Sequence, residues 1–264
     1  LRYRLLLATF FTDTMVISEK YKSTRQYRYV QVFVSDTGFI FVYFMRAQRD
    51  YISALRAFSK EVGAPDILVC DPHPSQKSKE VKDYCNKIGT RLRILEERTQ
   101  WADLAELYIG ILKDSVRKDL RASGAPLILW DYCMERRAAI YNVTARDDIK
   151  LGGQTPYARM FGDTPDISNL VWGWYDWIYY RDNKSFPRPR EVLGRVLGPA
   201  KNQGNEMAQY VLQINGKVVV RRTLRRLRPD ELAASNEVES RRRSLFDNAI
   251  CLLYTSPSPR DNSG

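Results

Sequence analysis

Histidine is nearly absent: one residue in 264, His73. A zinc site of two His and two Cys cannot be assembled from one imidazole. Cysteine is scarce, and one of the four, Cys251, falls in an anomalous tail. The rest, Cys70, Cys85 and Cys133, are an odd, scattered set that fits reduced thiols in the cytosol or nucleus better than a disulfide framework. No apolar run approaches the length that spans a bilayer, so no membrane partner is expected. There is no initiator Met and no visible signal or transit peptide, and Leu1 opens inside the approach to a strand; we expect an interior piece of a longer polyprotein.

What is present is basic charge. The chain carries a net +11 and is 44% hydrophobic, enough for one substantial core and a small second domain. Residues 171–228 hold twelve Lys or Arg against Asp176, Asp182, Glu191 and Glu206, a balance of +8, so most of the excess sits in the C-terminal third. A polyanionic partner is implied.

Three acidic residues stand out by position. Asp13 closes the apolar run 5–12, Asp71 closes the run 67–70, and Glu106 lies inside an amphipathic helical pattern. Taken singly, an Asp at a strand end is a turn former or cap, and a Glu on a helix is a solvated face residue. Together, two strand ends and a helix face can converge, and carboxylates so gathered repel unless a cation sits among them. Oxygen-only ligands suit a hard divalent ion, which points to metal-assisted phosphoryl transfer. His73, two residues past Asp71, reads as a solvated loop residue.

Residues 27–34 and 39–45, rich in β-branched and aromatic side chains, flank Asp36, Thr37 and Gly38 and read as a hairpin. A helix capped by Asp50 carries Tyr51, Leu55, Phe58 and Val62 and stops at Gly63; Pro65 opens the strand that delivers Asp71. Residues 76–88 read as a helix ended by Gly89, and 90–95 as a strand. A further helix, about 100–121, puts Trp101, Leu104, Ala105, Tyr108, Ile109, Leu112, Val116 and Leu120 on one stripe. Glu106 falls beside that stripe, and Gly110, Lys113 and Arg117 share its face. That line suits a DNA backbone, or equally a solvated charged surface. After Gly124 and Pro126, residues 127–142 form another helix.

Short strands follow at 171–180, 191–197, 208–214 and 217–222, with Asn215-Gly216 as a hairpin signal. Trp172, Trp174, Trp177, Tyr179 and Tyr180 read as core ahead of base-stacking platforms. Arg221, Arg222, Arg225, Arg226 and Arg228 put five Arg in eight residues, which repel without a polyanion, and nucleic acid is the expected one. Residues 229–250 are polar and expected to be a linker. Residues 251–261 spell the translation of an adapter used in transposase-based sequencing libraries. The segment 251–264 is therefore expected to be an artefact, disordered and without contacts.

Thr155-Pro156-Tyr157-Ala158-Arg159-Met160-Phe161-Gly162, with Thr164-Pro165-Asp166-Ile167-Ser168-Asn169-Leu170, resembles the segment that follows the catalytic core in integrases of copia-type LTR retrotransposons. Leu129-Trp130-Asp131-Tyr132 and Ala138-Ala139-Ile140-Tyr141-Asn142 resemble the helix before it. Asp71 and Glu106, 35 positions apart, resemble the last two members of the Asp, Asp, Glu triad, and the likeness covers roughly 5–228. Departures bear on activity more than on fold. Pro72-His73 stands where the family has Asn-Gly. Trp101-Ala102-Asp103-Leu104-Ala105 and Leu107 stand where it has a Gly before the Glu and an Arg after it.

The resemblance implies an α/β chain. A ribonuclease-H-like mixed sheet covered by helices would occupy 1–145, a connector 146–170, and a small SH3-like all-β DNA-binding domain 171–228. It implies a polynucleotidyl transferase that performs 3′-end processing and strand transfer of element cDNA into target DNA. Asp13, Asp71 and Glu106 would be both catalytic and metal-binding, with two Mg2+ (or Mn2+) ions about 3.5–4 Å apart. Lys113, Arg117, Arg221, Arg222, Arg225 and Arg226 are the candidate DNA contacts. The implied partners are double-stranded DNA, as cDNA ends and target, and further copies of the chain in a homo-oligomer. The implied place is the nucleus, after passage through a cytoplasmic virus-like particle. Family members carry a zinc module before the core and a reverse transcriptase region after the integrase. The alternative is an inactive remnant that only binds DNA or assembles.

Overall fold

The β-branched and aromatic run after Arg28 folds back on itself. β2 (Tyr29–Ser35) pairs antiparallel with β3 (Ile40–Met45), around a turn in which Gly38 has φ +81° and donates its N–H to Ser35 O. A Cβ on Gly38 would strike the Tyr108 hydroxyl, so the turn requires glycine for space as well as for φ. The structure, a computed structural model, describes residues 3–95, 103–147, 150–182, 190–201, 203 and 206–255. The expected stripe residue Trp101 and residues 256–264 lie outside the described residues. Two compact units are present: Leu1–Lys118 with Ile128–Pro165, and Asp119–Leu127 with Asp166–Gly264. The expected connector 146–170 is thus divided between them.

In the first unit β1 (Leu5–Val16) lies antiparallel to β2 and parallel to β4 (Ala64–Cys70), which in turn is parallel to β5 (Arg91–Ile94). The order is β3-β2-β1-β4-β5. This mixed sheet with its helices is the ribonuclease-H-like arrangement expected from the sequence. One expectation needs correction: Asp13 does not end its strand. Thr14, Met15 and Val16 continue β1 against β2 beyond the point where β4 stops.

Strand alternation decides which side chains face which helices. Phe10 joins Phe33, Leu55 and Phe58 in a large core with α1 (Tyr51–Glu61) and α2 (Lys79–Ile88). The Phe10 and Phe58 rings meet edge-on at 4.8 Å and Phe33 stacks on Phe58 at 4.5 Å. Phe11 points the other way, to Val69, Leu95 and Ala105 of α3 (Asp103–Ser123). The helix expected from residue 76 starts at Lys79, because Ser78 takes the cap position and its Oγ accepts the Val81 N–H. Cys70 and Cys85 are buried, and burial pushes their thiols up to about 12 and about 11, far from reactive.

A 3-10 turn, Leu127–Leu129, leads into α4 (Trp130–Val143). Asn142 there clamps edge strand β3, accepting the Ile40 N–H at 2.8 Å and donating to Ile40 O at 2.7 Å. Arg25 Nε donates to the fully buried Asp131 at 2.6 Å, and its guanidinium lies 3.9 Å from the Tyr132 ring centre. The recognised Thr-Pro segment is α5 (Pro156–Phe161). Thr155 caps it by accepting the Ala158 N–H, Pro156 takes its first turn, and Gly162 leaves it at φ +77°. Phe161 packs edge-on against Phe39 at 5.2 Å.

The second unit is one antiparallel sheet, order β10-β6-β7-β8-β9. It comprises β6 (Trp177–Asp182), β7 (Arg190–Pro199), β8 (Gln209–Leu212), β9 (Val218–Arg221) and β10 (Leu224–Arg226). β9 and β10 stand at opposite edges yet are joined only by Arg222 and Thr223, so the sheet must curl until its edges meet. The hairpin at Asn215-Gly216 forms as expected. Residues 229–250 are not a linker: they form α6 (Pro229–Leu232) and most of α7 (Glu237–Thr255). Phe246 is buried edge-on against Trp177 at 5.2 Å, and Arg195 Nη2 donates to Asp247 at 3.0 Å. The first part of the tail also has contacts, since Tyr254 Oη donates to Gly216 O at 2.9 Å. Among the described residues no helix is long and apolar enough to cross a membrane.

If α7 is seated by that aromatic contact, Phe246→Ala should destabilise the second unit by about 3 kcal/mol in denaturant unfolding. A loss under about 0.5 kcal/mol, the range of a neutral surface change, would show the helix to be unanchored.

Candidate active site

The parallel register carries the site. Thr12 lies opposite Cys70, so the next residues along the two strands, Asp13 and Asp71, fall side by side. Asp13 has the parity of Phe11 and Asp71 that of Val69, and both of those residues face α3. Ala105 in the same cluster immediately precedes Glu106, which is exposed at the head of the helix. Asp13 and Asp71 are half-buried, and Asp13 Oδ1 accepts the Thr14 N–H at 2.6 Å.

The electrostatics report the same convergence. The Asp71 carboxyl is raised above its ordinary value by burial first, then by the charge of Asp13 and a side-chain hydrogen bond to it, then by the charge of Glu106. His73 opposes the shift. It is an exposed loop residue, as expected, with Nδ1 at 2.8 Å from Ser75 Oγ. Repulsion among acids at one place is what a bound cation relieves, and an oxygen-only donor set fits Mg2+ or Mn2+. The part already assembled is the Asp13 and Asp71 pair; among the described residues no three His, Cys, Asp or Glu side chains are grouped so as to hold a metal ion.

Beneath the pair runs a polar lattice that sequence patterning does not reveal. Thr12 Oγ1 donates to Val32 O at 2.8 Å, Gln31 Nε2 to Thr12 Oγ1 at 2.6 Å, and Thr14 Oγ1 to Gln31 Oε1 at 2.6 Å. Gln76 Nε2 donates to Thr14 Oγ1 at 3.4 Å. Gln31 and Gln76 are 0% and 1% exposed. The available signal was polar Thr12 and Thr14 at alternate positions of an apolar strand, opposite a Gln in a β-branched run.

The candidate DNA contacts are sorted by their partners. Arg117 pairs with Asp114 at 2.9 Å, and Lys113 is half-buried on the same helix. In the second unit two members of the Arg strip, Arg225 and Arg228, meet acids of the same unit. Arg225 binds Glu191 and Glu231, each at 2.8 Å, and Arg228 also reaches Glu231. Arg225, a candidate DNA contact, is thus also an ion-pair residue of the fold. Arg226 donates to Val171 O and lies 5.4 Å from the Trp172 ring centre, and Arg221 lies 5.4 Å from that of Tyr180. Arg222 is exposed. Of the five aromatics read as core, Tyr179 and Tyr180 are buried, whereas Trp172, Trp174 and Trp177 are half-buried.

No family model matches the chain, and no curated protein does. Among solved structures it is similar to the HTLV-2 integrase catalytic core domain in complex with magnesium. Against the trimeric form it is 19% identical with a TM-score of 0.47, over 60% of this chain and 99% of that one. Against the dimeric form the values are 19%, 0.45, 59% and 97%. A chain of the simian T-cell lymphotropic virus intasome in complex with PP2A regulatory subunit B56 gamma matches at 16% identity and TM-score 0.49, over 86% of this chain and 82% of that one.

Two expectations follow from the charges. Asp71→Asn removes one repelling charge, so it should raise metal-free stability at neutral pH and abolish any rise in melting temperature with Mg2+. A metal response that survives the substitution would take Asp71 out of the site. Glu231 is held at about 2, below its ordinary 4.5, chiefly by hydrogen bonds from Arg225. A carboxyl depressed on folding contributes stability above the ordinary value and loses it as pH falls through the folded one. The cost of Glu231→Gln, measured by denaturant midpoints, should therefore be full at neutral pH and shrink between pH 4.5 and about 2. A cost that does not change across that window would refute the ion-pair account.

Proposed function

We propose that this chain is an integrase-type polynucleotidyl transferase of the Asp-Asp-Glu class, from a copia-type LTR retrotransposon. The observation that carries the reading is the placement of Asp13 beside Asp71 just past the end of the parallel β1 and β4 ladder, with the charge of Glu106 reaching Asp71.

Asp13, Asp71 and Glu106 would hold two Mg2+ or Mn2+ ions. When bound, these supply charge neutralisation at phosphorus and a nucleophile at neutral pH. The chain's own part is positioning. Thr14 N–H orients Asp13, and Phe11, Val69 and Ala105 form the dry support under the carboxylates. Lys113 and Arg117 continue along the helix that carries Glu106, where a phosphate backbone would run. Water first attacks a phosphodiester near a cDNA end, and the freed 3′-hydroxyl then attacks target DNA. One site serves both, since each is an in-line displacement that needs alignment and electrostatic support. The basic second unit, read as SH3-like, holds duplex DNA through Arg221, Arg222 and Arg226. A homo-oligomer, and work in the nucleus after a virus-like particle stage, belong to the same reading.

A second reading, DNA binding without catalysis, is favoured by Pro72 beside Asp71 and by the looser placement of Glu106. A strand-transfer assay with Mg2+ and labelled oligonucleotide ends separates the two. Integrase activity should fall more than about 100-fold in Asp13→Asn, Asp71→Asn and Glu106→Gln, beyond what the loss of an outer partner of a metal ligand costs. Salt-sensitive DNA binding without turnover in the unsubstituted chain would select the second reading. Neutralising Arg221, Arg222 and Arg226 should flatten the salt dependence of DNA affinity by roughly one slope unit for each phosphate no longer neutralised, equally for all sequences. A sequence-selective loss at unchanged slope would show base reading instead.

A further inference from the structure

The loop that leaves Asp71 has little backbone with which to fix itself. Pro72 and Pro74 carry no N–H, and the turn that follows closes locally, Gln76 N and Lys77 N both donating to His73 O at 2.9 and 3.2 Å. Its tie to the sheet is the Gln76 side chain, which is 1% exposed and donates to Thr14 Oγ1. Thr14 in turn holds Asp13 through its backbone N–H at 2.6 Å. A closed circuit results: Asp71, the loop to Gln76, Thr14, Asp13, and back to Asp71. Gln31 locks Thr14 from the opposite side at 2.6 Å and is itself held by Thr12.

Gln76 is also an anomaly in its own right. Its Oε1 is buried with no hydrogen-bond partner among the described residues. A buried amide with half its capacity unused calls for a structural reason, and the bond that its other half makes to Thr14 supplies one. An apolar side chain of equal length would fill the space without the tie.

We infer that Gln76 and Thr14 are positioning residues that fix Asp71 against Asp13 in the arrangement that takes a divalent metal ion. They act through hydrogen bonds to the carboxylate-bearing segments and touch neither metal nor DNA. The inference rests on the metal-dependent reading above. It goes beyond that reading by assigning the precision of the carboxylate pair to a Thr and a Gln on the opposite side of β1.

The test is the Mg2+ and Mn2+ concentration dependence of the melting temperature of the full chain, read with the metal-free melting temperature. Gln76→Met and Thr14→Val keep the volume and break the tie; Thr14→Ser keeps the hydroxyl. Breaking the tie should shift the metal midpoint about 10- to 100-fold upward, the usual cost of losing an outer partner of a metal ligand. Thr14→Ser should stay within about threefold of the parent. A merely structural role would lower the metal-free melting temperature and leave the midpoint in place, which would overturn the inference, as would a Thr14→Ser shift as large as that of Thr14→Val. Asp71→Asn distinguishes the levels. If it loses the metal response while Gln76→Met and Thr14→Val keep theirs unshifted, only the positioning role fails; if it keeps the response, the metal reading fails and the inference with it. If Gln76→Met does not fold, the Thr14→Val and Thr14→Ser comparison decides alone.

Discussion

Everything at the candidate site depends on one register, the parallel pairing of β1 with β4. Thr12 opposite Cys70 leaves no alternative to Asp13 beside Asp71, and a slip of one residue by either strand would turn that strand's carboxylate to the other face of the sheet and part the pair. The register is held by the large aromatic core on one face and the smaller Phe11, Val69, Leu95 and Ala105 cluster on the other. The fold thus uses its hydrophobic energy to hold two acids together, and the Asp71 carboxyl is raised by burial first and then by the charge of Asp13.

Much of this was legible in the residues, for physical reasons. β-branched density with a Gly turn gave the β2 and β3 hairpin, period-3.6 patterning gave α1 and α3, and Asn215-Gly216 gave the β8 and β9 turn. What failed did so where tertiary partners override local pattern. Asp13 looked like a strand end because its apolar run stops there, yet β2 extends the strand through Val16. Residues 229–250 looked like a linker because α7 mixes charged and apolar residues on its exposed surface and is seated by a few buried ones, among them Phe246 and Ile250. The ion pairs of Arg225 were not legible, because Glu191 and Glu231 are 34 and 6 positions away in sequence and only folding brings them to it.

The segment that gave the family resemblance has a plain structural role. Thr155, Pro156 and Gly162 are the cap, first-turn residue and stop of a six-residue helix, and Phe161 joins it to the Phe39 end of the sheet. Its contacts, through Thr155, Phe39 and Phe161, support the fold. The polar lattice under β1 shows the converse. Thr12, Thr14, Gln31 and Gln76 form no recognisable motif, but their hydrogen bonds lie next to the acids.

On the function proposed above, Asp13 and Asp71 form the seat of a divalent metal ion, with Glu106 as its third ligand. Anomalous diffraction from crystals of the chain soaked in Mn2+ tests it directly. The expected result is a manganese peak bonded to carboxylate oxygens of both Asp13 and Asp71, with Glu106 turned toward it. Manganese bound only elsewhere, with Asp13 and Asp71 still hydrogen-bonded to each other, would contradict it.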